Sequence, residues 1–479
     1  MELHVALTGP DDLSGQVYRQ VRAAILDGRL AAGDRLPPTR ELALRLEVSR
    51  NTVSLAYEWL VSEGLIHGRV GAGSFVESTP VPRAAHRVSS AGAPIRKVPA
   101  WRAVRAPILK PAMRYDFGVG SPDARLFPFD VWRRLVAREI RATKLSSGYG
   151  DPAGHPRLRQ AIARHIAVSR GVNAAGLDVI ITSGAQQAFD LVARVLVTPG
   201  TRVAVEEPGY PPARLLFQSM GARVVGVPVD EEGMKVDALP ADARLVYVTP
   251  SHQFPLGMPM SHPRRVALLA WARQRNAVII EDDYDSEFRF GGRPLETLQA
   301  MDRDGRVIYV GSFSKVMLPS LRIGFLVAPL SLRRELQAAS YVGGWHRSWP
   351  EQAALASMIE KGLLARHVRR MRREYSIRHQ RILETLSTDF ATWVEPIPSV
   401  TGMHLCAPFR RSSLRFEHRL GECAVVAGVG FDALSSYYTK RNVRTGLVLG
   451  YGAMATKDVS EGLARLRKCF LQSSRTGES

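Results

Sequence analysis

Val307-Ile308-Tyr309-Val310-Gly311-Ser312-Phe313-Ser314-Lys315, followed by Arg322-Ile323-Gly324-Phe325-Leu326-Val327-Ala328, is the stretch that decides the fold. The runs 307–311 and 323–328 have the length of strands, and the polar residues between them fall in one turn. Strands that are apolar at consecutive positions, and not alternately, are covered on both faces, as in the parallel sheets of α/β domains. Similar runs recur at 179–182, 201–205, 245–249 and 277–282, with helical stretches between them. The spacing therefore predicts an α/β domain with a parallel sheet. Its portion from about Ser348 is helix-rich, with a basic helix over 366–378, and is expected to form a smaller α+β subdomain.

Ligands of open α/β sheets bind beyond the carboxyl ends of the strands. Ser312, Ser314 and Lys315 follow one such end, and Arg322 comes seven residues after the lysine. Two hydroxyls and a guanidinium suit a phosphate dianion, and a lysine amine can form a Schiff base with an aldehyde. Asp282 closes another strand within Ile280-Glu281-Asp282-Asp283-Tyr284-Asp285. A carboxylate there can keep a pyridine nitrogen protonated, and Tyr284 can hydrogen-bond a phenolic oxygen. The acidic run could instead cap a helix or bind a metal. The metal reading requires histidines or further carboxylates to converge, no such set is visible in the sequence, and no metal is expected. Ser183-Gly184-Ala185-Gln186 follows the strand at 179–182 and opens a helix, whose backbone N–H groups make an anion site. Tyr210, after the strand at 201–205, offers either a ring to stack on the pyridine or an ordinary core aromatic.

Nearer the N-terminus, Val17, Val21, Ala24 and Ile25 mark an amphipathic helix from Leu13 to about Leu30. Thr39 is placed to cap a second helix over 40–46, Glu47-Val48 to turn the chain, and Ser49 to cap a third helix over 50–63 that Gly64 closes. Residues 65–76 then read as two short strands around a Gly-rich tip. This is the order of a winged helix-turn-helix, in which the start of the recognition helix meets base edges while neighbouring arginines hold phosphates. Ser49, Arg50, Asn51 and Thr52 are the candidates for bases, and Arg40 and Arg69 for phosphates. A helical docking module with solvated arginines is the bland alternative.

The 65 Lys and Arg against 45 Asp and Glu, a net charge of +20, point to nucleic acid as a partner. Cys406, Cys423 and Cys469 are too few and too scattered for a disulfide framework or a zinc site. No stretch approaches the roughly 20 apolar residues that span a bilayer, and the first residues lack the pattern of a signal peptide, so a cytoplasmic location without membrane contact is expected. Residues 79–114, rich in Pro, Ala, Ser and Arg, read as a stiff linker. The expected organisation is a DNA-binding domain over 11–78, this linker, and an effector domain over 115–473.

Arg40-Glu41-Leu42-Ala43, Val48-Ser49-Arg50-Asn51-Thr52-Val53, Glu63-Gly64-Leu65-Ile66 and Gly71-Ala72-Gly73-Ser74-Phe75-Val76 together resemble the GntR winged helices. With Tyr149-Gly150-Asp151-Pro152-Ala153-Gly154, Glu207-Pro208-Gly209-Tyr210, Thr249-Pro250-Ser251-His252-Gln253-Phe254-Pro255-Leu256-Gly257, Glu281 to Phe288 and Gly311 to Lys315, nearly the whole chain resembles the MocR/GabR regulators. These join a GntR domain to a fold-type I aminotransferase-like domain that binds pyridoxal 5'-phosphate (PLP). The resemblance implies Lys315 as the Schiff-base lysine, Asp282 on the pyridine nitrogen, Tyr284 near the phenolate and Tyr210 stacked on the ring. It implies Ser183, Gly184, Ala185, Ser312, Ser314 and Arg322 around the phosphate, with Tyr149 reaching the phosphate of a neighbouring subunit. A head-to-tail, domain-swapped homodimer on an operator of double-stranded DNA follows from the same likeness.

The γ-aminobutyrate-sensing branch holds its effector's carboxylate on arginines. Here Pro211 and Pro212 follow Tyr210, and Ser436-Tyr437 align with the later arginine. The expected function is a regulator that senses an amine effector with a different anionic group, such as a sulfonate, or PLP itself. The competing functions are a working aminotransferase with an accessory DNA-binding domain and a DNA-binding scaffold with a dead cofactor pocket.

Overall fold

The computed structural model describes residues 5–9, 11–69, 71–77, 101, 104, 113–141, 148–292, 296–411, 413–439 and 443–475. Most of the expected linker lies outside them. The chain divides into two units, Met1–Lys97 and Val98–Ser479.

In the first unit, helices α1 (Leu13–Leu26), α2 (Thr39–Arg45) and α3 (Arg50–Ser62) precede a hairpin of β1 (Ile66–Arg69) and β2 (Gly73–Val76). Val17, Val21, Ile25, Leu42, Val53, Leu60, Ile66 and Val76 form its core. Glu47 takes the left-handed conformation, φ 54°, that turns α2 into α3. Ser49 caps α3 by accepting the Thr52 N–H at 3.1 Å. Thr39 does not cap α2: it is the first helical residue, after Pro38, whose fixed φ of −55° sets the helix entry without a side-chain acceptor.

The second unit begins with the short β3 (Tyr115–Asp116) and continues through β4 (Val179–Thr182), β5 (Arg202–Glu207), β6 (Arg223–Asp230), β7 (Gly233–Met234) and β8 (Leu245–Val248). Then come β9 (Val278–Asp283), β10 (Val307–Ser312) and β11 (Gly324–Val327). The large sheet has the order β4-β11-β10-β9-β8-β5-β6-β7. Strands β10, β9, β8, β5 and β6 are mutually parallel, and all but β6 are mostly buried on both faces.

The sheet departs from the parallel expectation at β11, which runs antiparallel to both β10 and β4, pairing Ser312 with Gly324 and Gly324 with Thr182. The segment 313–323 carries the Ser-Lys turn and has no crossover helix, which a parallel return requires. Strand β6 escaped the apolar-run reading because it lies towards the sheet edge and is only partly buried, with Pro228 interrupting its pattern.

The smaller subdomain has a long helix, Leu363–Thr388, and a sheet of β12 (His404–Pro408), β14 (Asp432–Ala433) and β15 (Gly446–Gly450) in the order β12-β15-β14. The intervening β13 (Val429–Gly430) pairs in parallel with β3. Tyr115 and Asp116 thus join the subdomain, although in sequence they precede the large sheet.

The Ser49 cap contributes to the stability of the first unit. Ser49→Ala is expected to cost about 1 kcal/mol, read as a lower unfolding midpoint for the transition that carries the first unit, with the second unit's transition unmoved.

Candidate functional site

Three consecutive acids at the end of β9 are sorted by the alternation of a strand. Glu281 accepts the N–H groups of Leu298 and Gln299, both at 2.9 Å. Asp283 is clamped by Arg170 at 2.7–2.9 Å and by the Tyr309 hydroxyl at 2.6 Å. Asp282, on the other face, lines a cavity of about 330 Å³. Its Oδ2 accepts the Tyr247 hydroxyl at 2.6 Å, while its buried Oδ1 has no hydrogen-bond partner among the described residues. Burial pushes the Asp282 carboxyl up to about 7.

Lys315 lies in the same cavity, on the turn after β10, and its Nζ donates to the Gly120 carbonyl at 2.7 Å. Burial lowers its pKa, against the opposing pull of Asp285 and Asp282, which favours the neutral amine a Schiff base needs. Ser312 Oγ donates to Ser314 Oγ at 3.0 Å and accepts the Ser314 N–H at 3.1 Å. Arg322, left-handed at φ 50°, donates to the Ser183 carbonyl and lines the cavity with Ala185, at the start of helix Ala185–Leu196. A Cβ on Gly184 would meet the Arg322 guanidinium at 3.3 Å, and one on Gly324 would lie 2.6 Å from the Gly184 Cα. The absence of side chains at both glycines therefore lets the helix start approach the arginine.

Of the residues singled out in sequence, Asp282, Tyr284, Tyr210, Ala185, Ser312, Ser314, Lys315 and Arg322 line this one cavity. Ser183 and Gly184 stand behind it, against Arg322. Tyr149 is not among the lining residues; it is 78% exposed, with its ring stacked on Trp345 at 4.4 Å. Tyr210 packs edge-on against Phe254 at 5.5 Å. Tyr284 donates to the His252 carbonyl at 3.0 Å, and burial holds its hydroxyl well above the usual tyrosine range. In the first unit Arg40, Ser49, Arg50, Asn51 and Arg69 are exposed, whereas Thr52 is half-buried with its hydroxyl 2.8 Å from that of Ser49. Arg69 sits over the Phe75 ring at 5.4 Å.

The sequence reading missed a buried cluster beside the cavity. His252 Nδ1 lies 3.1 Å from both carboxylate oxygens of Asp285, and the His252 ring is 4.5 Å from that of His404. Histidines therefore do converge on the acidic run, and with Asp285 they could hold a metal ion. The internal bonds already occupy much of that capacity: Asp285 also accepts the Met403 N–H at 3.0 Å, and His404 Nε2 donates to the Pro255 carbonyl at 3.0 Å. His252, Asp285 and His404 are 33 or more residues apart in pairs that only the folded sheet brings together, save for a single signal in the sequence, the acid-rich run itself.

Lys315, the unpartnered Asp282 oxygen, the paired serine hydroxyls and Arg322 at a helix start form a donor set that fits an aldehyde bearing a protonated pyridine ring and a phosphate. Tyr210 supplies an aromatic face within the same cavity.

Comparison with known proteins agrees in both units. Residues 115–435 match the family described as aminotransferase class I and II, and residues 13–76 match the bacterial regulatory proteins of the gntR family. The chain is 40% identical over 467 residues to the probable rhizopine catabolism regulatory protein MocR of Rhizobium meliloti, covering 96% of this chain and 94% of that one. It is 33% identical to the HTH-type pyridoxine biosynthesis transcriptional regulator PdxR of Corynebacterium glutamicum, covering 93% of each. Among solved structures it resembles kynurenine aminotransferase of Pyrococcus horikoshii, with a TM-score of 0.69 and 27% identity over 76% of this chain and 91% of the other.

Asp282 titrates higher in the folded chain, about 7, than its ordinary value of 3.8. The unfolded chain then holds fewer protons at this group between those values, and its contribution to stability falls as pH rises through that window. Asp282→Asn removes the effect. Without added ligand, the variant's melting temperature is expected to gain on that of the wild type from about pH 4 to pH 7; a pH-independent difference would show that Asp282 is not held up by burial.

Proposed function

The chain belongs to the MocR/GabR family of GntR-type transcriptional regulators, which carry an aminotransferase-like domain, and from this premise we propose that its effector domain binds PLP through Lys315 and uses that site to control DNA binding. The observation that carries the reading is the convergence, in one cavity, of Lys315 with an unpartnered Asp282 oxygen, the Ser312 and Ser314 hydroxyls and Arg322.

When bound, the cofactor supplies an aldehyde carbon that amines attack and a ring that accepts electrons. The chain's own residues do the rest. Asp282 holds a proton on the ring nitrogen, with Tyr247 fixing the carboxylate's orientation. Ser312, Ser314, Arg322 and the backbone at Ser183, Gly184 and Ala185 hold the phosphate. Tyr210 limits the ring from one side, and Tyr284 orients the phenolic oxygen. In a head-to-tail homodimer, the exposed Tyr149 is available to a phosphate in the neighbouring subunit. The first unit reads an operator through Arg50 and Asn51 at the start of α3, while Arg40 and Arg69 hold phosphates. Ser49 and Thr52 act chiefly as the cap, because their hydroxyls are engaged there. No helix among the described residues is long and apolar enough to cross a membrane, and a cytoplasmic regulator is the reading adopted.

The chemistry of the cavity favours PLP itself, or an amine without a carboxylate clamp, as the signal. Among its described lining residues the only Lys or Arg side chains are those of Lys315 and Arg322, both engaged by the cofactor in this reading. His404 stays neutral, since burial drives its pKa well below the usual value. Pro211 and Pro212 open a helix, and Tyr437 packs on Phe254 at 5.1 Å. The kinship with a pyridoxine biosynthesis regulator supports the cofactor as signal. Net transamination is the alternative, which multiple-turnover assays with a panel of amino donors and oxoacids address.

Borohydride reduction of the PLP-loaded chain followed by peptide mapping is expected to mark Lys315, and Lys315→Ala to lose the covalent bond; a label on another lysine overturns the assignment. Operator affinity measured with PLP, γ-aminobutyrate and taurine is expected to respond in wild type, weakly or not at all for γ-aminobutyrate, and to lose its response in Lys315→Ala. Arg50→Ala should relax sequence preference by roughly 1–3 kcal/mol, while Arg69→Ala weakens all duplexes alike.

A further inference from the structure

The net charge of the chain does not reside in its DNA-binding unit. Residues 11–77 hold eight Arg and nine Asp or Glu, whereas residues 98–479 hold 53 Lys or Arg against 35 Asp or Glu. An excess of that size opposes compaction by self-repulsion unless something offsets it.

Part of the excess is concentrated on one helix. From Lys361 to Arg373 the chain has six basic residues and no acidic one. Lys361, Arg366, Arg369, Arg370, Arg372 and Arg373 are all exposed. Among the described residues none of them forms an ion pair; Arg372 donates only to the Glu287 carbonyl, at 2.7 Å. The charge continues onto helix Phe129–Glu139 and just beyond: Arg134, Arg138 and Arg141 line a surface cavity with Lys361 and Leu363. At the other end Arg369 and Arg372 line a second depression, of about 610 Å³. Of the nearby acids, Glu360 pairs with Arg157 at 2.6 Å, Glu374 accepts the Thr456 hydroxyl at 3.0 Å, and on the neighbouring helix Asp130 pairs with Arg133 at 3.1 Å and Glu139 closes the helix.

An ordinary solvated face mixes both signs. The run 361–373 is of a single sign, and at 1.5 Å per residue its helical part, 363–373, extends for about 15 Å, enough to meet several phosphates of one strand. We propose that this face of the aminotransferase-like unit is a second, sequence-independent surface for duplex DNA, formed by Arg366, Arg369, Arg370 and Arg373 with Arg134 and Arg138. Duplex DNA is the favoured polyanion because the same chain carries a winged helix, so the inference rests on the DNA-binding reading above. Flexible exposed arginines supply phosphate contacts without base readout, which leaves sequence preference to α3.

The test uses the full-length, PLP-loaded protein and fluorescence anisotropy on a long mixed-sequence duplex and on the DNA flanking its own gene, across a salt series. Arg366→Gln, Arg369→Gln, Arg370→Gln and Arg373→Gln together are expected to weaken binding to both duplexes roughly tenfold or more. The slope of log affinity against log salt should fall by about 0.9 per lost contact, with the ratio between the two duplexes unchanged. Arg134→Gln with Arg138→Gln should act in the same direction by a smaller factor, which guards against a folding defect peculiar to the first variant. The cofactor absorbance of both variants should match wild type. Wild-type affinity and salt slope in both variants, while Arg50→Ala still lowers operator preference, overturns the second surface and leaves the winged-helix reading standing. A wild type that ignores both duplexes at low salt fails the DNA-binding reading itself.

Discussion

A buried carboxylate with one oxygen satisfied and the other unpartnered is costly to keep, and the large sheet is organised to keep one. Asp282 Oδ2 takes the Tyr247 hydroxyl, Oδ1 has no donor among the described residues, and burial raises the carboxyl's affinity for a proton. A structural acid in this position would be expected to acquire a second donor, as Glu281 and Asp283 on the opposite face have done. The asymmetry is informative because all three residues belong to the same strand end. Two are closed by the protein's own groups; the third has, among the described residues, one oxygen without a donor, which in the proposed reading receives the ring N–H of the cofactor.

That arrangement depends on β9 being central in the sheet, between β8 and β10, so that both flanking strands contribute to the site. β8 supplies Tyr247, and the end of β10 supplies Ser312 and then Ser314 and Lys315. The antiparallel β11 brings Arg322 and Gly324 back against Gly184, where the lack of a Cβ on either glycine permits backbone contact. The reversal at β11, beside the parallel strands β10 and β9, is thus what folds the lysine and the arginine of one short segment into the same cavity.

The central strands and the residues at their ends were legible in the sequence because burial on both faces leaves unbroken apolar runs with polar residues at their ends. Val179–Thr182 and Val307–Ser312 show this clearly. The winged helix was legible for a different reason: local signals such as the Ser49 cap and Gly64 act within a few residues. What escaped was non-local or half-exposed. β6 lacks a continuous apolar run, β3 is two residues long and acquires meaning only by pairing with Val429 and Gly430, and the direction of β11 is fixed by connection length and not by composition. His252, Asp285 and His404 come from separate loops and strands, so no spacing rule reveals their cluster. Thr39 failed as a cap because the preceding proline already fixes the helix entry, which side-chain propensity does not register.

The bond from Lys315 Nζ to the Gly120 carbonyl links the site chemically to the smaller subdomain. Gly120 follows the segment in which β3 pairs with β13, the Phe117 N–H bonds to the Gly430 carbonyl at 2.8 Å, and the Gly450 N–H bonds to Phe117 at 2.7 Å. Any group that takes up the Lys315 amine therefore competes with a backbone acceptor belonging to a segment tied into the subdomain by hydrogen bonds on two strands. A ligand can bias the subdomain only by the difference in its affinity for the two arrangements, and the Gly120 bond provides a place for that difference to arise. A cofactor that merely filled the cavity, binding both arrangements equally, would shift nothing however tight its binding. The lysine thus has a structural partner in the free chain and a chemical partner in the proposed complex, and it cannot serve both in the same way. That exclusivity, together with the position of Gly120 in the turn that follows β3, is the physical basis we propose for a site of aminotransferase form acting as a switch.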